Sequence, residues 1–227
     1  MKHLLILIIV TFVLSNISEA QNKLYTTTGS EMIFSFATID DNGNANGNIM
    51  RWSPVFNVQF YGNYDINKNF GLLFGAAIRN VGFIYNVQDG TGTKKKHRNY
   101  DFGIPVGIKV GNMRKAFFFA GYEIEFPFNY KEKTFINEQK TKFSVWFSDR
   151  TPSYYHTVFA GVQFPYGLSL KFKYYLSEFF NQGYTENNGN QPYKGLEVNV
   201  FYFSLSTSLF RGHEVYVTEY KKESRVY

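Results

Sequence analysis

A strict alternation of apolar and other residues most constrains this chain, and it is clearest over residues 100–111, which read YDFGIPVGIKVG. Every second residue of this stretch is apolar or aromatic, and those between are small, polar, charged or proline. A two-residue period is typical of a β-strand, whose side chains alternate between two faces. The stretch therefore predicts a strand with one apolar face, and it leaves open whether that face meets a protein core or lipid.

Eight segments share this pattern, at about residues 32–39, 54–64, 70–86, 100–111, 116–128, 154–164, 168–180 and 196–210. The connections between them alternate long and short, beginning with a long one. Outer-membrane barrels have this arrangement, because short turns lie at the periplasmic rim and long loops lie outside. Most segments also reach the roughly 9–11 residues that a tilted strand needs to cross a bilayer. The sequence therefore predicts an all-β, eight-stranded antiparallel up-and-down transmembrane β-barrel.

The less apolar faces of these segments carry charges of both signs. If the apolar faces point outward, seven charged side chains lie inside: Arg79, Asp101, Lys109, Glu123, Glu125, Lys171 and Lys173. Buried charges are tolerated when they are paired, so we predict an interior ion-pair network. An eight-stranded barrel is just wide enough for its side chains to fill the interior, which argues against a wide pore.

The two ends of the chain differ from the segments between them. Residues 1–20, MKHLLILIIVTFVLSNISEA, have a basic start, a short apolar run and small residues before the expected cleavage point. This pattern is typical of a secretory signal peptide. We therefore predict a signal peptide over 1–20, a barrel over 21–210 and a polar tail over 211–227. The absence of cysteine excludes a lipoprotein anchor and a disulfide framework.

Aromatic residues near the predicted strand ends are expected to form girdles at the two membrane interfaces. These residues are Tyr61, Tyr64, Phe128, Tyr154, Phe164 and Phe180. In the last segment, the parity of the outward residues also places Glu197 and Asn199 outward. Two explanations remain open: these residues lie above the bilayer, or a β-bulge shifts the register.

Two features of the long connections are candidates for binding. The basic run Lys94, Lys95, Lys96 and Arg98 lies in a predicted Gly/Thr-rich loop. We interpret it as a solvated loop able to contact lipopolysaccharide phosphates, and not as a nucleic-acid site. Trp146 and Phe147 lie in the longest connection, within an alternating stretch over 142–148 that can extend the neighbouring strands. They are candidates for a partner contact or for packing within the loop.

An enzymatic hypothesis rests on Ser153 and His156. A serine nucleophile needs a base, and the base needs an orienting acid such as Asp149 or Glu138, as in a membrane-embedded acyl hydrolase or transferase. The spacing of these residues matches no known motif, and His156 is better interpreted as part of the interfacial aromatic belt. No cofactor is predicted, and no pair of histidines has metal-ligand spacing.

Several segments resemble the outer-membrane β-barrel proteins of the Bacteroidota, the PorT-like family. The resemblance is carried by GSEMIFSFA, AIRNVGFIY, FGIPVGIKVGN, FAGYEIEFPFNYKEKTF, FAGVQFPYGLSLKFKYYL and FYFSLSTSLF. It implies the outer membrane of a Gram-negative bacterium, with outer-membrane lipid, lipopolysaccharide and a protein assembly as partners. The terminal strand ending at Phe210 is similar to the barrel-assembly signal of that class, although residues 211–227 follow it.

The resemblance implies little about activity, since fold does not fix function. We expect a structural, adhesive or assembly-accessory role through the loops or the tail, without enzymatic activity. One alternative is the lipid-modifying enzyme described above. The other is a soluble lipocalin-like barrel that binds a hydrophobic ligand, with its apolar faces turned inward.

Overall fold

The computed structural model describes residues 23–45, 47–87, 92–136, 139–211 and 215–216. The predicted signal peptide and most of the predicted tail, including the residues after Tyr216, lie outside the described residues. No helix in the described part is long and apolar enough to span a membrane.

The described residues form strands and one short 3-10 turn, Pro165–Gly167. The strands are β1 (Lys23–Asp41), β2 (Asn44–Ala45), β3 (Gly47–Ile49), β4 (Arg51–Ser53), β5 (Val58–Asp65), β6 (Phe70–Asn86), β7 (Lys94–Gly111), β8 (Phe117–Ile136), β9 (Gln139–Trp146), β10 (Tyr155–Gln163), β11 (Leu168–Tyr175), β12 (Leu196–Arg211) and β13 (Val215–Tyr216).

Eight of these strands close into a ring in the order β1, β5, β6, β7, β8, β10, β11, β12 and back to β1. Every pairing around the ring is antiparallel, and each strand pairs with its neighbours along the chain. Closure leaves no unpaired edge, which is the defining property of a barrel. The predicted fold, an eight-stranded antiparallel up-and-down barrel, is confirmed.

Short and long connections lie at opposite ends of the barrel. Residues 66–69, 112–116 and 164–167 make the three short turns, and we call their end the turn end. At the other end, the loop end, β1 is joined to β5 through β2, β3 and β4, and β9 lies between β8 and β10. Residues 176–195 join β11 to β12 at the same end.

The predicted basic loop is wrong in its secondary structure. Residues 94–98 are the first part of β7, where they pair with Asn86–Gly82 of β6 and Phe135–Lys131 of β8. Only 87–93 remain to connect β6 and β7. Lys94, Lys95, Lys96 and Arg98 therefore lie on a sheet wall, where their spacing is fixed by the strand.

The outer surface of the barrel nearer the turn end is apolar. Phe74 is 49% exposed and Val106 is 50% exposed, although both are large hydrophobic side chains. They belong to a continuous band that we call the outer apolar belt, formed by Val58, Phe60, Leu72, Phe74, Ile78, Phe102, Ile104, Val106, Ile108, Val110, Phe118, Tyr122, Phe126, Val158, Leu168, Leu170, Phe172, Leu176, Phe203 and Leu205.

Towards the loop end the polarity of the two faces is reversed. The interior there is an apolar and aromatic cluster, which we call the upper core, and it includes Phe83, Tyr130, Tyr155, Val198 and Val200. The outward positions Glu197 and Asn199, which alternate with Val198 and Val200 on β12, are polar, as in an ordinary water-soluble β-protein. Along β12 the side-chain parity stays constant from Leu196 to Ser208, while the polarity of each face changes.

The last ring strand shows this change directly. Glu197 is exposed and Asn199 is partly exposed, and both alternate with buried valines. The pairing of β12 with β1 is regular from Leu196 to Ser208, and its one irregularity lies opposite Thr28 and Gly29. The bulge explanation is therefore wrong, and these residues face outward beyond the apolar belt.

The connection between β11 and β12 folds back over the upper core. Phe179, Phe180 and Tyr193 from this connection are buried, and Phe180 stacks on Tyr193 with ring centroids 4.2 Å apart. The prediction that Phe180 lies in an interfacial girdle is wrong, because its strand ends at Tyr175 and its ring turns inward. Tyr61 is also placed wrongly, since its hydroxyl accepts a hydrogen bond inside the barrel from Arg79 at 3.4 Å.

The wall is interrupted between β4 and β5. Residues 54–57 bulge away from the ladder, and Phe56 has a positive φ of 62°. Side chains replace the missing backbone pairing: Asn57 Oδ1 accepts from the Asn80 backbone amide at 2.8 Å, and the Arg51 guanidinium donates to the Asn80 backbone carbonyl at 3.0 Å. Because a buried unpaired backbone group is costly, these two side chains keep the wall closed.

We predict that Phe83→Ala costs about 3–5 kcal/mol in the free energy of unfolding, because Phe83 is fully buried and contacts three aromatic rings and an imidazole in the upper core. The matched control is Phe147→Ala, since Phe147 is 78% exposed, and we expect a change within about 0.5 kcal/mol there. Urea titration of the protein in detergent measures both. Equal effects at the two positions would contradict the assignment of the upper core.

Candidate functional site

The interior behind the apolar belt is filled by a network of charged side chains centred on Arg79. Its Nε donates to Glu31 Oε2 at 3.0 Å, and its Nη1 donates to Glu123 and, at 3.2 Å, to Glu125 Oε1. The Arg79 side chain is fully buried. One guanidinium thus bridges β1, β6 and β8 across the interior.

Two lysines of β11 complete this network. Lys171 Nζ lies 2.8 Å from Glu31 Oε1. Lys173 Nζ lies 2.7 Å from Glu123 Oε2 and 2.5 Å from Glu125 Oε1. Three cations and three carboxylates are therefore interleaved in a buried space, which is the arrangement in which buried charges are stable. We call these six residues the interior network.

The strand pattern explains why these residues meet. Glu123 and Glu125 are two apart on β8, as Lys171 and Lys173 are on β11, so each pair points to one face. Gly103 of β7 provides the space between them, because a Cβ at this position would collide with the Glu123 carboxylate and crowd Arg79. A glycine is required here for the close approach of the two charged groups.

The seven predicted interior residues do not form one network. Lys109 lies inside the barrel but nearer the turn end, where its Nζ is 2.5 Å from Asp65 Oδ1 and 3.2 Å from Asn63 Oδ1. Asp101 is buried on β7 in register with Arg79. Its Oδ1 has no hydrogen-bond partner among the described residues.

Sequence reasoning missed Glu31 and Asp65. The first predicted segment began at Met32, although Glu31 is in phase with the inward residues Ile33 and Ser35. Asp65 lies just beyond the predicted segment 54–64, but it is the last residue of β5. The signal for both was an extension of the two-residue period beyond the predicted segment ends.

A cavity of about 330 Å³ lies inside the barrel at the turn end. Its walls include Tyr25, Asn63, Lys109, Phe119 and Ser169. The interior network lies on the loop-end side of this cavity, and the upper core lies beyond the network. The described interior is therefore filled with side chains above the cavity.

In the described residues, the side chains of Ser153 and His156 form no hydrogen bond with each other. His156 points outward from β10, where its Nδ1 forms a hydrogen bond with the Tyr122 hydroxyl and its ring packs against Tyr154. The backbone amide of His156 donates to Ser177 Oγ at 2.9 Å. In the described residues, no group of three histidine, aspartate or glutamate side chains is arranged to hold a metal ion.

A second charged cluster lies outside the barrel, on the parts of β7, β8 and β9 beyond the apolar belt. Register places Arg98 beside Lys131, and Lys96 beside Lys133, which is itself beside Lys142. His97 and Asn99 are buried on the opposite face, so the alternating residues between them face outward. We call the outward cations the basic ladder: Lys94, Lys96, Arg98, Lys131, Lys133, Lys140 and Lys142. Lys95 lies on the other face.

The basic ladder has no acidic side chain among its described outward positions. Glu132 lies on the inner face, where its Oε2 accepts from the Tyr130 hydroxyl at 2.9 Å. Burial, followed by the positive charges of Arg51, Lys133 and Arg98, lowers the pKa of Lys96 from 10.5 to about 8. Burial and neighbouring cations also lower the pKa of Lys133. Like charges directly opposite each other on a sheet are destabilising, so the basic ladder is a surface of uncompensated positive charge.

Aromatic rings lie immediately below the basic ladder, next to the apolar belt. Phe56 packs edge-on against Tyr100 at 6.2 Å, Tyr100 lies 6.3 Å from Phe128, and Phe128 stacks on Trp146 at 5.9 Å. We call these four residues the aromatic row. Trp146 is 64% exposed, and Phe147 follows it with a positive φ of 50°.

Comparison with known proteins gives only distant similarity. No protein-family model and no curated protein is similar enough in sequence to match this chain. Among solved structures, Ail, the attachment invasion locus protein of Yersinia pestis, in complex with the heparin analogue sucrose octasulfate, is 9% identical with a TM-score of 0.38, covering 86% of this chain and 100% of its own.

Two further solved structures are comparably distant. Neisserial surface protein A is 8% identical with a TM-score of 0.35, covering 83% of this chain and 97% of its own. The outer membrane protein OprG from Pseudomonas aeruginosa is 10% identical with a TM-score of 0.34, covering 86% of this chain and 95% of its own. The fold of this chain rests on its own strand pairing.

We predict that Arg79→Met destabilises the barrel by about 3–5 kcal/mol, because it leaves buried carboxylates without their shared cation. Adding Glu123→Gln to this variant should recover part of the loss, since it removes one of those carboxylates. Arg114→Met, at an exposed turn position, is the control. Urea titration of the three variants measures the effect, and a further loss in the double variant would contradict charge pairing as the cause.

We predict that Lys96→Gln removes part of the pH dependence of stability between about pH 8 and the ordinary lysine value of 10.5. In this window the unfolded chain binds a proton at Lys96 that the folded chain has lost, so stability rises with pH. The melting temperature of the wild-type protein should therefore increase relative to that of Lys96→Gln as the pH rises from 8 to 10. A difference that is constant over this range would show that Lys96 has an ordinary pKa.

Proposed function

We propose that this chain is a small β-barrel of the bacterial outer membrane, with its turn end in the periplasm and its loop end outside the cell. The observation that carries this proposal is the outer apolar belt, because large exposed hydrophobic side chains surround a barrel whose interior at the same height is charged. Exposing this apolar belt to water would cost free energy, whereas contact with hydrocarbon would not. The soluble lipocalin-like alternative requires the opposite orientation of these faces, so the exposed hydrophobic belt supports the membrane location over it.

We further propose that the barrel is not a wide pore. Arg79, Glu123 and Lys173 fill the interior with paired charges and are fully buried. Beyond them, the upper core and the inward-folded residues Phe179 and Phe180 fill the loop end. An eight-stranded barrel has little space left once such side chains are in place.

The proposed role is structural, adhesive or accessory to an assembly, and it is exerted at the loop end. This end extends β7, β8 and β9 beyond the belt and presents the basic ladder and the exposed Trp146 and Phe147 to the outside. The sequence segments quoted above support membership of the PorT-like family of the Bacteroidota, and the apolar run over 1–20 supports export with a cleaved signal peptide. Outer-membrane lipid and a protein assembly are the proposed partners.

The proposed location is tested by fractionating cells that produce the full chain. We expect the protein in the outer-membrane fraction, extractable only with detergent, and migrating at different apparent sizes in gels before and after boiling. Labelling of intact cells through a cysteine placed at exposed Lys142 should succeed, and labelling through one at exposed Lys68 should need permeabilised cells. A freely soluble protein, or equal labelling at both positions, would contradict the proposal.

We predict that Val106→Lys destabilises the barrel in lipid vesicles by about 2–4 kcal/mol, as expected for a lysine near the bilayer midplane. Thr38→Lys, on the outward face beyond the belt, should change stability by no more than about 0.5 kcal/mol. Urea titration in vesicles compares the two variants. A tolerated lysine at Val106 would mean that the belt does not face hydrocarbon.

A further inference from the structure

We propose that the outward surface of β7, β8 and β9 binds the phosphorylated glycolipid of the outer leaflet, lipopolysaccharide, with its phosphates on the basic ladder and its acyl chains beside the aromatic row. This inference rests on the proposed membrane location. It adds a ligand class and a specific surface, which the location alone does not provide.

The first argument is the uncompensated charge of the surface. Lys96, Lys133 and Lys142 occupy directly paired positions on three adjacent strands, and Arg98 is directly paired with Lys131. None of the seven ladder cations forms an ion pair with an acidic side chain in the described part of the chain. Repulsion between them is relieved if each row lies against anionic groups, so the protein alone leaves this surface incomplete.

The spacing of the ladder suits several phosphates. Outward residues on one strand repeat at about 6.6–6.8 Å, and neighbouring strands lie about 4.8 Å apart. A diphosphorylated sugar headgroup can therefore contact cations on more than one strand at once. β8 is paired with a strand on each side, so the backbone positions that carry the cations are fixed. Little backbone entropy is therefore lost on binding.

The position of the basic ladder next to the outer apolar belt favours a lipid over a soluble anion as the ligand. Tyr100 is the outward residue between Arg98 of the ladder and Phe102 of the apolar belt. The Arg98 guanidinium lies 5.7 Å from the centre of the Tyr100 ring, and Lys131 Nζ lies 5.2 Å from it. The lowest cations therefore begin where the hydrocarbon-facing surface ends, which is the level of lipid phosphates in the leaflet.

The aromatic row fits the same ligand. Phe56, Tyr100, Phe128 and Trp146 extend sideways in contact with one another, and Phe56 and Trp146 at its two ends are more than half exposed. Aromatic side chains favour the boundary between hydrocarbon and headgroups. A free polyanion has no apolar part to cover this row, and the same face of a second copy of the chain would repel the ladder. A lipid with anionic phosphates satisfies both parts of the surface.

The test replaces the middle row of the ladder in the full chain, as Lys96→Gln, Lys133→Gln and Lys142→Gln together. The matched control removes the same charge from the opposite end, as Lys68→Gln, Arg114→Gln and Lys115→Gln, all exposed turn residues. Quenching of tryptophan fluorescence measures binding of lipopolysaccharide to each purified protein in detergent. At about 1 kcal/mol, or roughly fivefold, per lysine lost, we expect about 100-fold weaker binding in the ladder variant and little change in the control.

Two additional probes distinguish the source of the phosphate. Dephosphorylated lipid A should bind the wild-type protein as weakly as lipopolysaccharide binds the ladder variant. Inositol hexakisphosphate, a soluble polyanion, should bind less tightly than lipopolysaccharide, and Tyr100→Ser with Phe56→Ser, which keeps Trp146 as the fluorescent reporter, should weaken binding of the lipid only. Equal binding of the soluble anion, or unchanged lipopolysaccharide binding by the ladder variant, would overturn the inference.

These results separate the ligand from the location. Both triple variants should fold and show the shift between unboiled and boiled gel mobility, because they alter exposed or partly exposed side chains outside the interior network. A ladder variant that inserts normally and binds lipopolysaccharide normally refutes the inference alone. A wild-type protein that never enters the membrane refutes the proposed function instead.

Discussion

The change of surroundings along each strand is the constraint on which the rest of the structure depends. Ring strands keep one side-chain parity from end to end, apart from local bulges, yet the outward face is apolar near Val106 and polar near Glu197. The inward face changes in the opposite sense, from the charges around Arg79 to the aromatic rings around Phe83. Where the outer surface meets hydrocarbon, polar side chains must find their partners inside the barrel. Where the outer surface meets water, the apolar side chains lie in the interior instead.

The alternation of the sequence was sufficient to predict the ring, because a two-residue period and the order of long and short connections are local properties. The strand ends were predicted less well. β7 begins at Lys94 and β8 continues to Ile136, since both strands continue as a sheet in water, where the apolar face is turned inward and charged residues occupy the outward positions. Phe180 was misplaced for a related reason: a loop aromatic can return to an interior core, and its sequence position alone does not show this.

The interior charges could be assigned to a face from their parity, but their partners could not. Which carboxylate meets Arg79 depends on the stagger of neighbouring strands, and this places Glu31 in the network and pairs Lys109 with Asp65 instead. The basic ladder was visible in sequence only as the run at Lys94–Arg98. Lys131, Lys133, Lys140 and Lys142 join it through pairing between strands, which brings together residues that are far apart in sequence.

Spin-label accessibility tests the change of surroundings most directly, because the chain has no cysteine and accepts single labelling sites. Nitroxides placed at Leu72, Val106 and Leu170 of the barrel in lipid vesicles should collide more often with oxygen, which concentrates in hydrocarbon, than with a water-soluble nickel complex. Labels at Thr38 and Glu197 should show the reverse preference. Nickel accessibility at Val106 and Leu170 equal to that at Glu197 would contradict a hydrocarbon-facing belt.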